Sequence, residues 1–265
     1  MGGVIGGESP PLQSMSLFWE RCRIEKRDGI WYAVYEVNEM FQGFSDATID
    51  FMWGIRFNNE RSWFQQHKEE YQAHLYTPMK ELAQEVFVRV DGAHPELGLC
   101  CKVSRIYRDA RRLHGRGPYK DHLWFCIRGA GEQWHDRPTF WFELAPEQWS
   151  YGLGFWCAQA STMVKFRARL DREPGRAEKL LRAVDSQNEF ILEGPAYARA
   201  RKAPAPGLAE WYNKKNFSFS HEEPNSAILY HADLVDRLSA GMEFLMPLYR
   251  FLAPIFGDGG SRERN

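Results

Sequence analysis

No stretch of the chain approaches the roughly 18 consecutive apolar residues of a membrane-spanning helix. The opening MGGVIGGESPP has neither the basic head nor the apolar run of a secretory leader. Cysteine is scarce: there are five in 265 residues, and no two form a CxxC pair. That argues against a secreted disulfide framework and a zinc ribbon, and the expected location is the reducing cytoplasm. An excess of one charge is lacking too. The formal net charge is −1, which speaks against a globally basic nucleic-acid coat and a charged disordered chain, while allowing a local basic site. The common catalytic and nucleotide motifs are missing. Tyr151-Gly-Leu-Gly154 is not GxGxxG, and neither a Walker-type loop nor GxSxG occurs. His67 and His74 lie seven positions apart on an expected helix, about 10 Å along its axis and too far for one ion; Glu70 lies between them, but the pattern is not HExxH. No metal site is expected, and no cofactor is assigned.

What the chain has in plenty is aromatic residues, at 15%. They concentrate at 121–160, where five Trp, four Phe and one Tyr fall within forty positions. Such density points first to a thick core on a sheet, and second to an aromatic-lined pocket. At this length one core can form without disulfides or metal.

Hydrophobic spacing divides the chain. Residues 1–39 read as an N-terminal extension, either disordered or upstream of the natural start, because Met40-Phe-Gln-Gly-Phe44 itself resembles a beginning. Within it, Asp28-Gly29 lies between hairpin-like runs. One domain is expected over 40–256, and a flexible tail over 257–265. Ser45 precedes a helical pattern containing Ile49, Met52 and Trp53. A second helix is expected over 60–75, with Trp63, Phe64, Tyr71 and Leu75 on its apolar side. Thr77-Pro78 is then a cap before a third helix, with Met79, Leu82, Val86 and Val90 inward. Short β-rich runs at 99–107, 122–128, 138–144 and 149–157 favour antiparallel pairing. Helical patterns return at 161–170, at 174–186 and at 230–253, the last interrupted by Pro247. Helices, strands, then helices imply an α+β fold: an antiparallel, aromatic-rich sheet flanked by N-terminal and C-terminal helices.

Charge is locally uneven. Residues 101–120 carry Lys102, Arg105, Arg108, Arg111, Arg112, Arg116 and Lys120 against the single acid Asp109, a local charge of +6. Arginine forks on a loop suit carboxylates and phosphates; a solvated loop with an Arg108–Asp109 pair is the plainer alternative. If 99–107 is one strand, Arg105 and Tyr107 share a face with Val103. Asn58 and Asn59 read either as a helix cap or as a ligand-facing loop. Lys214-Lys215 either joins an anion site or is solvated. Cys100 and Cys101, on opposite sides of a strand, read as structural.

Several of these pieces carry a resemblance. Asn58-Asn59 with Trp63-Phe64, then Pro78, Arg105-Ile-Tyr-Arg108-Asp109 with Arg111, and Pro118-Tyr119-Lys120 are similar to the domain of unknown function 2461, a family of uncharacterised, mostly microbial proteins. The resemblance spans about 41–254, and Trp211 to Phe217 fits its C-terminal part. It departs at 112–116, where Arg112, Leu113 and His114-Gly115-Arg116 replace an aromatic, a small polar residue and a basic run. The resemblance implies the fold and boundaries, and no activity.

The resulting expectation is an anion pocket for a phosphorylated or carboxylated small molecule. Arg105, Arg108, Arg111 and Lys120 would hold the anion, with Asn58 and Asn59 nearby. Asp109 would orient an arginine or act as acid or base, and Tyr119 would donate a hydrogen bond. The alternatives are a nucleic-acid binder using the same cations with exposed aromatics, and a non-catalytic structural or interaction protein. No membrane partner is expected, and no reaction or oligomeric state is assigned.

Overall fold

Rules of local capping and pairing account for most of the secondary structure, seen here in a computed structural model. It describes residues 20–27, 30–37, 40–109, 111, 115–129 and 136–256, with the backbone alone described up to residue 37. The expected Gly/Pro/Ser-rich start, the Asp28-Gly29 turn, Arg112 to His114 and the 257–265 tail lie outside these residues. The chain forms two compact units, 1–40 and 41–265.

In the first unit, β1 (Glu20–Arg27) pairs antiparallel with β2 (Ile30–Val37), with Arg27 opposite Ile30. The second unit begins its helices with α1 (Asp46–Phe57), where the Ser45 N–H donates to the Thr48 hydroxyl at 3.1 Å. Next come α2 (Arg61–Gln66) and α3 (Lys68–Glu70), then a π-helical turn at Tyr71–Tyr76 and α4 (Thr77–Ala93). The expected helix at 60–75 is therefore broken at His67. The expected cap at Thr77-Pro78 lies instead inside continuous helix. Pro78 has no N–H for the His74 carbonyl four residues earlier, and the Thr48 hydroxyl donates to that carbonyl at 2.5 Å. The same hydroxyl thus ties α1 to the long helical stretch.

Six strands follow: β3 (Leu99–Val103), β4 (Leu123–Gly129), β5 (Thr139–Leu144), β6 (Gln148–Gly154), β7 (Ile191–Glu193) and β8 (Ser218–Pro224). They make one antiparallel sheet in the order β3-β4-β5-β6-β8-β7. Between β6 and β8 lie α5 (Ala160–Arg172), α6 (Pro174–Asp185) and α7 (Ala209–Tyr212), and α8 (Leu234–Leu252) closes the fold. The fold is α+β. None of the described helices is long and apolar enough to cross a membrane.

Alternation along the strands puts Phe125, Ile127, Phe140, Phe142, Leu144, Trp149, Tyr151, Leu153 and Phe219 in the core, all essentially inaccessible. α4 and α8 pack on each other and on the sheet. Gly241 permits the approach of α8, since a Cβ there would lie 2.5 Å from the Tyr151 ring. The phenol of Tyr249 accepts from the Gly129 N–H at 2.8 Å, and its ring stacks on Phe140 at 5.1 Å. α8 runs through Pro247 rather than stopping there. The proline removes one backbone donor, and burial of Leu245, Met246, Leu248 and Tyr249 around it holds the helix.

β3 ends at Val103, so Val103, Arg105 and Tyr107 do not share one strand face. Beyond it Ile106 to Arg108 turns back against Pro118 to Lys120: Arg108 N–H donates to Pro118 O and Lys120 N–H to Ile106 O, both at 2.8 Å. This arm, made by 106–108 and 118–120, lies against α2, where Phe64 stacks on Tyr119.

Candidate functional site: a cationic aromatic cleft

The cleft is built where α2 meets the 106–120 arm. Tyr107 and Tyr119 face each other across the arm, so both rings fall on one side, 5.3 Å apart. Phe64 of α2 stacks on Tyr119 at 4.3 Å and meets Tyr107 edge-on at 5.8 Å. A cavity of about 480 Å³ opens beside these rings, lined by Arg61, Phe64, Gln65, Lys68, Tyr107, Arg108, Pro118 and Tyr119. Arg61 and Gln65, one turn apart on α2, and Lys68, which opens α3, line one wall.

A polar clasp fixes the arm to α1 and α2. The Asn59 amide donates to Tyr119 O at 3.0 Å and accepts from Tyr119 N–H at 2.9 Å. Gly117 is needed beside it, because a Cβ there would lie 2.1 Å from the Asn59 side-chain oxygen. Arg108 donates from Nε to Tyr119 O at 2.6 Å and from Nη2 to Asp121 at 3.4 Å. Asp121 also accepts from Arg56 Nε at 2.6 Å and pairs with His122 Nδ1 at 3.1 Å. Arg56 reaches Glu147 as well. The His122 hydrogen bond, reinforced by Arg56, holds the Asp121 carboxyl well below the usual carboxylate range despite its burial.

The residues singled out in the sequence disperse around this clasp. Arg108 and Tyr119 line the cleft; Arg105, Arg111, Lys120, Asn58 and Asn59 are not among its lining residues. Asn58 closes α1, its amide donating to Gly54 O at 3.0 Å, and both polar groups of the Asn59 amide are taken up by Tyr119. Arg111 forms a two-pronged pair with Asp109, at 3.0 and 2.8 Å. Arg105 is exposed. Lys120 lies over Trp124 at 5.5 Å; burial, with Arg108 and Arg105 close by, pushes its ammonium down to about 8 against the pull of Glu143. Tyr119 is buried, and desolvation beside Tyr107 raises its phenol while Arg61 opposes the rise.

Arg61, Lys68, Arg56 and Asp121 were not singled out from the sequence. Arg61 sits inside the Asn58-Asn59 to Trp63-Phe64 motif, Lys68 lies seven positions on, and Asp121 directly follows Pro118-Tyr119-Lys120. Those positions were the available signal. Neither Arg61 nor Lys68 has an ion-pair partner among the described residues. His67 stacks on Trp63 at 3.9 Å with Nδ1 on Trp63 O, and no cluster fit for a metal occurs among the described residues. The Cys101 thiol meets Ala83 O at 3.7 Å and burial pushes it up to about 12, which suits a structural cysteine.

Chemically, the cleft offers three cations, two phenols and three aromatic faces. None of its lining residues is a carboxylate, thiol or imidazole. This composition can hold an anion and cover a flat, apolar body. A family model described as "Conserved hypothetical protein (DUF2461)" matches residues 47–251, which include the whole cleft. No curated protein matches the chain.

Proposed function

The chain belongs to the DUF2461 family, whose description names no activity, and we propose that it binds a small phosphorylated or carboxylated molecule in the cleft between α2 and the 106–120 arm. One observation carries the reading: Arg61, Lys68 and Arg108 line a cavity of about 480 Å³ with no carboxylate among its walls. Arg61 and Lys68 hold the anion. Arg108, anchored through Nε and Nη2, presents Nη1, and the phenols of Tyr107 and Tyr119 donate hydrogen bonds. The half-exposed Tyr107 ring covers the apolar part of the ligand. Asp109 holds Arg111, and Arg105 and Lys120 add to the local field rather than to the contacts. The reading assigns binding, not turnover.

The test is thermal stability of the full chain against phosphorylated and carboxylated compounds. Saturation at a hundred times Kd raises stability by about 2.7 kcal/mol. The double variant Arg61→Ala/Lys68→Ala removes that rise and keeps the fold. If the rise survives the double variant, the cleft is not the site.

A second reading, nucleic-acid binding, draws on one separate feature. Trp156 is 64% exposed and stacks on Trp124 at 6.2 Å, with Lys120 over Trp124. Cation and exposed indole form the kind of platform on which bases stack. Salt-sensitive binding to mixed-sequence RNA with no response to small anions favours this reading over the first.

A further inference from the structure

A second concentration of cations lies away from the cleft, in the loop between β7 and α7 and the residues after α7. Residues 194–215 hold Arg199, Arg201, Lys202, Lys214 and Lys215 against one acid, Glu210. Glu210 is already committed: it pairs with Lys214 at 2.9 Å, and Lys214 also donates to Gly194 O at 3.1 Å. Two of the remaining cations, Arg201 and Lys215, gather on one ring together with Arg167 of α5. Lys215 lies 5.9 Å from the centre of Tyr197, Arg201 6.0 Å, and Arg167 of α5 5.4 Å. Arg167 is 5% exposed, and its Nη1 has no hydrogen-bond partner. None of Arg167, Arg199, Arg201 and Lys215 has an ion-pair partner among the described residues. Asp171 of α5 accepts from the Tyr212 phenol at 3.3 Å.

The loop is held in shape. Tyr197 N–H donates to Asn213 O at 2.9 Å. The Asn213 side chain clasps Arg201, accepting from its N–H at 2.7 Å and donating to its carbonyl at 3.1 Å. Lys215 N–H donates to Pro195 O at 2.7 Å. A cavity of about 470 Å³ opens there, lined by Tyr197, Ala198, Arg199, Ala200, Arg201 and Lys215.

We propose that this cavity is a second site, independent of the cleft, for the phosphate group of a small molecule. Cations this close repel one another, and a cation buried without a carboxylate is costly. A dianionic phosphate relieves the repulsion among the cations that line the cavity, since its oxygens accept from the Arg201 fork, from Lys215 and from Arg199 together. The ring of Tyr197 draws Arg201 and Lys215 to its face. The size of the cavity suits a small ligand.

The test is titration of the full chain with inorganic phosphate, followed by calorimetry and by backbone amide resonances. Two variants separate the sites: Arg201→Ala/Lys215→Ala here, and Arg61→Ala/Lys68→Ala in the cleft. All four side chains belong to exposed residues, so far-UV dichroism should match the parent. The expected result is a phosphate-dependent shift at Tyr197, Arg201 and Lys215 that persists in the cleft variant. In the Arg201/Lys215 variant it weakens at least tenfold. This holds whether or not the cleft binds phosphate, so failure of either reading is visible separately. Absence of shifts at Tyr197, or undiminished affinity in the Arg201/Lys215 variant, overturns the proposal. So does a mixed-sequence RNA that binds far more tightly than phosphate with a steep salt dependence lost in that variant, because the occupant is then a polymer backbone.

Discussion

The 101–120 segment and the loop over 194–215 are both rich in arginine and lysine, yet they use their charge in opposite ways. In the first, Arg108 donates to Tyr119 O and Asp121, Arg111 is held by Asp109, and Lys120 is partly desolvated over Trp124. Arg108, Arg111 and Lys120 are thus taken up in structure, and the cleft beside them takes two of its three cations from α2 and α3. In the second, one lysine is tied to Glu210, while Arg201 and Lys215 collect around Tyr197 without an acid. A density of positive charge thus predicts an anion site only after the paired cations are subtracted. In the smaller cluster Arg199, Arg201 and Lys215 have no ion-pair partner among the described residues.

The sharpest way to break this contrast is Gly117→Ala. The added carbon would displace the Asn59 amide, and both of its bonds to the Tyr119 backbone would go. A loss of about 2 to 3 kcal/mol is expected by denaturant unfolding, together with loss of anion response in the cleft. The 194–215 loop should be unaffected. A stable variant with normal cleft binding would show that the clasp is dispensable.

Asp121→Asn is expected to cost somewhat less, about 2 kcal/mol near neutral pH, by leaving Arg56 and Arg108 without their shared carboxylate. The sign with pH follows from the depressed carboxyl. Its stabilising contribution is complete above the unfolded value, near 4, and disappears as pH falls through the lower folded value. Parent and variant should therefore converge in strong acid. Parallel stability curves down to low pH would contradict the pairing.

Lys120→Met has a smaller effect of opposite sign. The folded ammonium, at about 8, lies below its usual value near 10.4, so the unfolded chain binds more protons between those two points. Stability of the parent should rise with pH across that window, and the variant should be more stable below it and lack the rise. Asp109→Asn should change least of all, since it removes a pair with a highly exposed arginine. A clear drop in Tm would mean that the Asp109–Arg111 pair supports the arm after all.

How much of this could be read from the chain differs by element. The sheet from β3 to β6 was legible because aromatic and β-branched runs of strand length alternate with turn residues. β8 was not, because SFSHEEP has only Phe219 as an apolar anchor; pairing with β6 and β7 makes it a strand. The break at His67 and the helix through Pro78 and Pro247 were hidden for a related reason. Tertiary surroundings decide at the prolines: the Thr48 hydroxyl takes up the His74 carbonyl that Pro78 leaves free, and burial holds α8 through Pro247. In the site, Arg108 and Tyr119 were accessible from the basic run and the Pro118-Tyr119-Lys120 motif. Arg61 and Lys68 were not, because their relevance depends on α2 crossing the arm some forty positions later in the chain. The pairing of Asp109 with Arg111 likewise depends on the backbone that lets the Arg111 N–H donate to the Asp109 carboxylate at 3.1 Å, which charge counting does not fix.

The most direct test of the central claim follows the arginine Nε–Hε resonances while inorganic phosphate is added to the full chain. The account predicts that Arg61, in the cleft, and Arg201, beside Tyr197, move in a saturable way. It also predicts that Arg111, held by Asp109, stays where it is. Equal, non-saturating drift of all three, or movement of Arg111 alone, would contradict the distinction between unpaired and paired cations on which both sites rest.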